Sequence, residues 1–95
     1  ITTDIFKDDA LILSNYNSDT VTLKSNNHNR EVKFNFKSPL LGIWAKPGAP
    51  YVCIEPWWGV NDNYDEKDDL SQKRGIMAIE PSKSEAFSWS IEITE

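Results

Sequence analysis

Apolar and polar residues alternate with a period of two over much of this chain, the period of a β-strand with one buried face. Residues 86–94 show it most clearly: Phe87, Trp89, Ile91 and Ile93 fall on one face, and Ser88, Ser90, Glu92 and Thr94 on the other. Residues 20–25 set Val21 and Leu23 against Thr22 and Lys24, and residues 31–36 set Val32, Phe34 and Phe36 against Lys33 and Asn35. The polar run Asn26-Asn27-His28-Asn29 lies between them, which predicts an antiparallel hairpin. Short apolar runs predict further strands over residues 10–13, 40–45, 51–54 and 76–80. Lys46-Pro47-Gly48-Ala49-Pro50 reads as a rigid turn, and residues 60–74 as a polar, acidic loop with at most one helical turn near Leu70. No segment sustains a helical period, and no internal repeat is evident. About seven short strands at this spacing predict an all-β, antiparallel β-sandwich. Phe34, Trp89 and Ile91 are expected in its core.

Ninety-five residues suffice for one small domain with a core. A hydrophobic content of 39%, with four Trp, four Phe and three Tyr, marks a globular chain. The net charge of −5 argues against nucleic acid as a partner, because phosphate recognition needs a basic surface. No apolar run reaches membrane-spanning length, so no membrane partner is expected. The single cysteine, Cys53, rules out an internal disulfide and fits a reducing, cytoplasmic setting. The chain opens at Ile1 and its only methionine is Met77, which is expected of a processed chain or of part of a longer one.

Candidate chemistry concentrates in Tyr51-Val52-Cys53-Ile54-Glu55-Pro56-Trp57-Trp58-Gly59. Pro56 has no N–H and is expected to end the strand ladder, leaving Glu55 at the strand's last position. Alternation puts Cys53 and Glu55 on one face and Val52 and Ile54 on the other. The small Cys53 leaves room beside the carboxylate. Apolar and aromatic neighbours disfavour a charged carboxylate, which suits a general base near neutral pH. A strand-end glutamate pointing at water, paired with a lysine, is the alternative. Trp57 and Trp58 offer faces for a sugar ring, or pack in a core; one of each is expected.

This stretch resembles the base-bearing strand of the aldose 1-epimerase (galactose mutarotase-like) family. Gly42-Ile43-Trp44-Ala45-Lys46-Pro47-Gly48-Ala49-Pro50 resembles the strand and turn that lead into it in a bacterial branch. The resemblance runs over nearly the whole chain and matches the C-terminal third or so of a family member. It implies that residues 1–95 are the C-terminal part of a single galactose mutarotase-like supersandwich domain, partnered by the remaining N-terminal part of the same protein. It also implies Glu55 as catalytic base, and Asp9, beside Asp8, as the aspartate that holds a sugar hydroxyl. No cofactor and no metal are implied. His28 lies in a polar hairpin loop and matches no family motif, so the family's histidine acid is expected outside this chain. Pro81-Ser82-Lys83-Ser84-Glu85 departs from the family's Pro-Gly-Glu turn.

The implied activity is interconversion of the α and β anomers of an aldose, free or phosphorylated. A phosphate would make Lys46 and Arg74 candidate anion contacts. The alternatives are a non-catalytic carbohydrate-binding β-sandwich and a structural β-domain that pairs through its edges. Asp62, Asp65, Glu66, Asp68 and Asp69 form an acidic cluster, but Glu66 stands where a calcium loop needs glycine, so a solvated loop is expected. There is no Gly-rich phosphate loop, metal-spaced His/Cys set or nucleophile elbow.

Overall fold

The alternating segments form strands in the computed structural model, which describes residues 1–64 and 69–95. The elements in order are β1 (Leu11–Leu13), β2 (Thr20–Lys24), β3 (Glu31–Phe36), β4 (Leu40–Trp44), β5 (Cys53–Trp57), a 3₁₀ turn (Leu70–Gln72) and β6 (Trp89–Thr94). All strand pairings are antiparallel, in two three-stranded sheets ordered β1-β4-β5 and β2-β3-β6. The fold is therefore all-β, and no α-helix occurs among the described residues. Among the described residues no helix is long and apolar enough to cross a membrane.

The sheets meet through the inner faces of β3 and β4. Phe34 and Phe36 of β3 pack with Leu41 of β4, and Val21, Ile43, Ile54 and Tyr16 close around them. The Phe34 and Phe36 rings stack at 6.0 Å, and Tyr16 meets Phe36 edge-on at 5.4 Å. The Tyr16 hydroxyl donates to the carbonyl of Ser38, a buried residue whose own hydroxyl donates to the Leu40 carbonyl at 2.7 Å. This polar knot fixes the short turn between β3 and β4, where buried backbone groups need partners. The β2–β3 hairpin forms as expected, with Val21 opposite Phe34 and Leu23 opposite Val32.

The core departs from the expected one at β6. Phe34 is buried, but Trp89 is 58% exposed and Ile91 50% exposed. Register places them correctly, Ile91 opposite Phe34 and Trp89 opposite Phe36, so they do lie on the apolar face. An open cleft of about 350 Å³ lies between them and Val52, Ile54 and Pro56, so the other sheet faces these side chains without closing over them. A Cα radius of gyration of 16.3 Å reflects the same openness; a compact domain of this length has about 12–13 Å.

Two strand assignments also change. Residues 76–80 form no strand, and Ile76, Met77 and Ile79 are exposed. The strand that carries Glu55 is shifted: it runs from Cys53 through Pro56 to Trp57 rather than ending before the proline. β5 has a neighbour on one side only, and an edge strand accommodates proline when the nitrogen faces the unpaired side. The turn before it forms at the expected residues. Ala49 N donates to Lys46 O at 3.0 Å, and Gly48 has φ 79°, as the third residue of a type II turn requires.

In the loop after β5, Asp69 caps the 3₁₀ turn by accepting from Ser71 N and Oγ, and Lys73 Nζ donates to Asp62. Asp65, Glu66 and Asp68 of the acidic cluster lie outside the described residues. Among the described residues no group of three His, Cys, Asp or Glu side chains is arranged to hold a metal ion.

Candidate active site

The antiparallel register of β4 and β5 decides what surrounds Glu55. Leu40, Gly42 and Trp44 stand opposite Trp57, Glu55 and Cys53, so these six positions share the face turned away from the inter-sheet core. Ile12 of β1, opposite Gly42, extends that face. Ile54, between Cys53 and Glu55, points the other way and packs on the core cluster, as alternation required.

Glu55 lies half-buried in a cleft of about 310 Å³ lined by Asp8, Asp9, Ala10, Ile12, Trp44, Glu55, Trp57 and Asn61. That volume is at the small end of ligand pockets. Three carboxylates, two indoles and one amide thus converge: polar groups at fixed places, with apolar ring surface between them. Trp57 Nε1 donates to Glu55 Oε2 at 3.0 Å, so the carboxylate is already oriented by a neighbour on its own strand.

Asp9 reaches the cleft through an unusual backbone. Residues 2–9 turn repeatedly, with Ile5 N, Lys7 N and Asp9 N donating to Thr2 O, Asp4 O and Phe6 O. The buried Phe6 ring anchors this lead-in, which the sequence pattern left without structure. Asp9 then takes φ 84°, and its Oδ1 accepts from Ala10 N at 2.8 Å just before β1. Positive φ is uncommon outside glycine, and such strain gathers at functional sites.

Of the expected site residues, Glu55, Asp9 and Trp57 come together and Trp58 does not. Trp58 is half-buried, meets Phe87 edge-on at 4.9 Å, and lines a separate cleft with Ser14, Leu40 and Arg74. Neither tryptophan enters the core cluster. Cys53 does not line the carboxylate cleft, and the position that faces Glu55 across the ladder is Gly42. Trp44, Asn61 and Gly42 were not singled out from the sequence. The available signal was a glycine inside an apolar strand, which marks close approach of another group.

His28 sits in the exposed β2–β3 loop of the other sheet, where its Nδ1 accepts from Arg30 N at 3.2 Å. Lys46 and Arg74 are exposed and do not line the carboxylate cleft. A larger cleft of about 490 Å³ between the lead-in and the Lys46–Ala49 turn contains no carboxylate, imidazole, lysine or arginine side chain. Size therefore does not locate the chemistry in this fold.

No family model and no solved structure matches this chain. It is similar to two curated proteins of Lactococcus lactis subsp. lactis, named Protein LacX, plasmid, and Protein LacX, chromosomal. Each is 28% identical over 91 residues, which is 94% of this chain and 30% of the relative. The chain thus spans under a third of the length of these relatives.

Proposed function

We propose that this chain carries the base side of an aldose 1-epimerase site, in which the α and β anomers of a hexose interconvert by ring opening. The observation that supports it most is the meeting of Glu55 and Asp9 in one cleft with Trp44 and Trp57. The resemblance of the Glu55 strand to the galactose mutarotase-like family points the same way, and the similarity to the LacX proteins over nearly the whole chain fits it.

In this reading Glu55 takes the proton of the anomeric hydroxyl while an acid protonates the ring oxygen. The bond between the anomeric carbon and the ring oxygen breaks, giving the open-chain aldehyde. Rotation about the adjacent carbon–carbon bond exposes the other carbonyl face. Reclosure returns the proton from Glu55 to the new anomeric oxygen and the ring-oxygen proton to the acid. Asp9 accepts a hydrogen bond from a sugar hydroxyl, since an ionised carboxylate is acceptor-only, and the indole faces cover C–H surface of the ring. No cofactor takes part. The acid comes from the remainder of the same polypeptide, which also covers the apolar face left open at Trp89, Ile91 and Ile93. The free Cys53 suits a cytoplasmic setting.

The test is anomer exchange by magnetisation-transfer NMR in the intact polypeptide. Glu55→Gln keeps the shape but cannot take the proton, and lowers exchange by about 10²–10⁴-fold, the usual effect of one positioned acid–base group. Sugar binding largely survives it. His28→Gln, in the distant loop, leaves the rate nearly unchanged. Parent-like exchange in Glu55→Gln, or abolished exchange in His28→Gln, refutes these roles. Sugar binding by the parent with no anomer exchange makes the protein a carbohydrate-binding sandwich instead.

A further inference from the structure

A glycine inside a strand weakens it, because it packs no side chain and loses more chain entropy on folding. Gly42 occupies such a position in β4, the middle strand of its sheet, directly opposite Glu55. A Cβ placed on it would lie 3.0 Å from Trp57 Nε1, 3.1 Å from Trp57 Cε2 and 3.4 Å from Glu55 Oε2. Non-bonded heavy atoms of this kind prefer about 3.5–4.0 Å. The Trp57 ring therefore occupies the space that any other residue at 42 would fill.

The reason lies in strand geometry. Glu55 and Trp57 are two residues apart on β5, and side chains at that spacing leave the backbone in parallel about 6–7 Å apart. The indole spans that gap by leaning toward Glu55, which brings Nε1 to 3.0 Å from Oε2 and sets the ring over Gly42 of β4. Glycine at the facing position accommodates that lean, whereas a Cβ there would make the indole give by a few tenths of an ångström. The indole N–H is a donor and nothing else, so it can hold the carboxylate but cannot relay its proton.

We propose, resting on the role of Glu55 given above, that Gly42 and Trp57 together position the catalytic carboxylate. Gly42 supplies the space, Trp57 Nε1 holds Oε2, and Oε1 is left as the atom that takes the anomeric proton. Trp57 is thus a positioning residue whose N–H is committed to Glu55, with only its ring face turned to a sugar.

The experiment uses the intact polypeptide labelled with ¹⁵N-tryptophan, the Trp57 indole N–H being assigned by its loss in Trp57→Phe. Slow hydrogen exchange of that N–H is expected in the parent and is lost in both Glu55→Ala and Gly42→Ala. In anomer-exchange kinetics Trp57→Phe lowers kcat roughly 10- to 100-fold, the effect of one hydrogen bond to a charged group, with KM nearly unchanged. Gly42→Ala has the same effect in the parent and adds little to Trp57→Phe, because the smaller ring no longer meets the new methyl group. Should Gly42→Ala fold poorly, the Trp57→Phe kinetics and the Glu55→Ala exchange data decide alone. Fast exchange of the indole N–H in the parent overturns the proposal, as does slow exchange that survives Glu55→Ala or a parent-like kcat in Trp57→Phe. If Glu55→Gln retains parent exchange rates while the indole N–H stays protected by Glu55, the base role fails and this proposal with it. If instead Glu55→Gln is inactive and the N–H is unprotected, only the positioning fails.

Discussion

Replacing Phe36 and Trp89 by alanine, one at a time, separates a covered position from an uncovered one on the same sheet face. The two stand opposite each other across the β3–β6 ladder. Phe36 is 4% exposed and pinned between Phe34 and Tyr16. Removing a ring so enclosed leaves a cavity and costs about 3–5 kcal/mol. Trp89 stacks on Phe34 at 5.7 Å but is 58% exposed. A tryptophan buries at most about 250 Å², so some 100 Å² is at stake, about 2.5 kcal/mol as an upper bound. Alanine keeps part of that contact and leaves no enclosed void, which lowers the expected cost to about 1–2 kcal/mol. For residues 1–95 alone, without the remainder proposed to cover this face, urea unfolding followed by far-ultraviolet circular dichroism at one protein concentration should rank Phe36→Ala about 2 kcal/mol below Trp89→Ala. Equal losses would refute the reasoning, because Trp89 would then be covered in solution. A dilution series tells a second copy from an intramolecular cover, since only the former makes stability concentration-dependent.

Tyr16→Phe removes the donor to the Ser38 carbonyl and should cost about 1–2 kcal/mol in the same assay, an unsatisfied part-buried acceptor being the larger part; no change means that water replaces the bond freely. Asp9→Gly should be more stable than Asp9→Ala by about 1–2 kcal/mol, because only glycine takes a positive φ without strain. Both Asp9 variants should lose affinity in a sugar titration, and unchanged affinity would remove Asp9 from the binding role.

Strands whose partners lie close in sequence were legible from alternation. β3 occupies the expected residues 31–36, and its hairpin with β2 keeps the expected inward set of Val21, Val32 and Phe34. Residues 76–80 have apolar composition but no partner strand, and pairing is a tertiary property that composition does not carry. Pro56 misled for a related reason: its cost depends on whether the strand has one neighbour or two, which is known only once the sheet is assembled. Trp89 and Ile91 were assigned to the right face, but a face is a core only where something covers it. In the candidate cleft, Glu55 and Trp57 were both expected from the sequence, but Trp57 was expected beyond the strand end and lies inside β5. Trp44 and Gly42 required the β4–β5 register, whereas Asp9, just before the first strand, was expected there through the resemblance.

The open face of β6 also gives the protein an optical reporter. Of its four tryptophans, Trp44, Trp57 and Trp58 are half-buried and Trp89 alone is exposed. Iodide, an ion kept out of protein interiors, should quench Trp89 emission ahead of the other three. Anything that settles on the inner face of β6, whether another stretch of polypeptide or a second copy, should shift that emission to the blue and shield it from iodide. A sugar entering beside Glu55 instead meets Trp44 and Trp57, on the outer face of the other sheet. Single-tryptophan variants would thus follow assembly and ligand entry as two separate colours of signal within one chain.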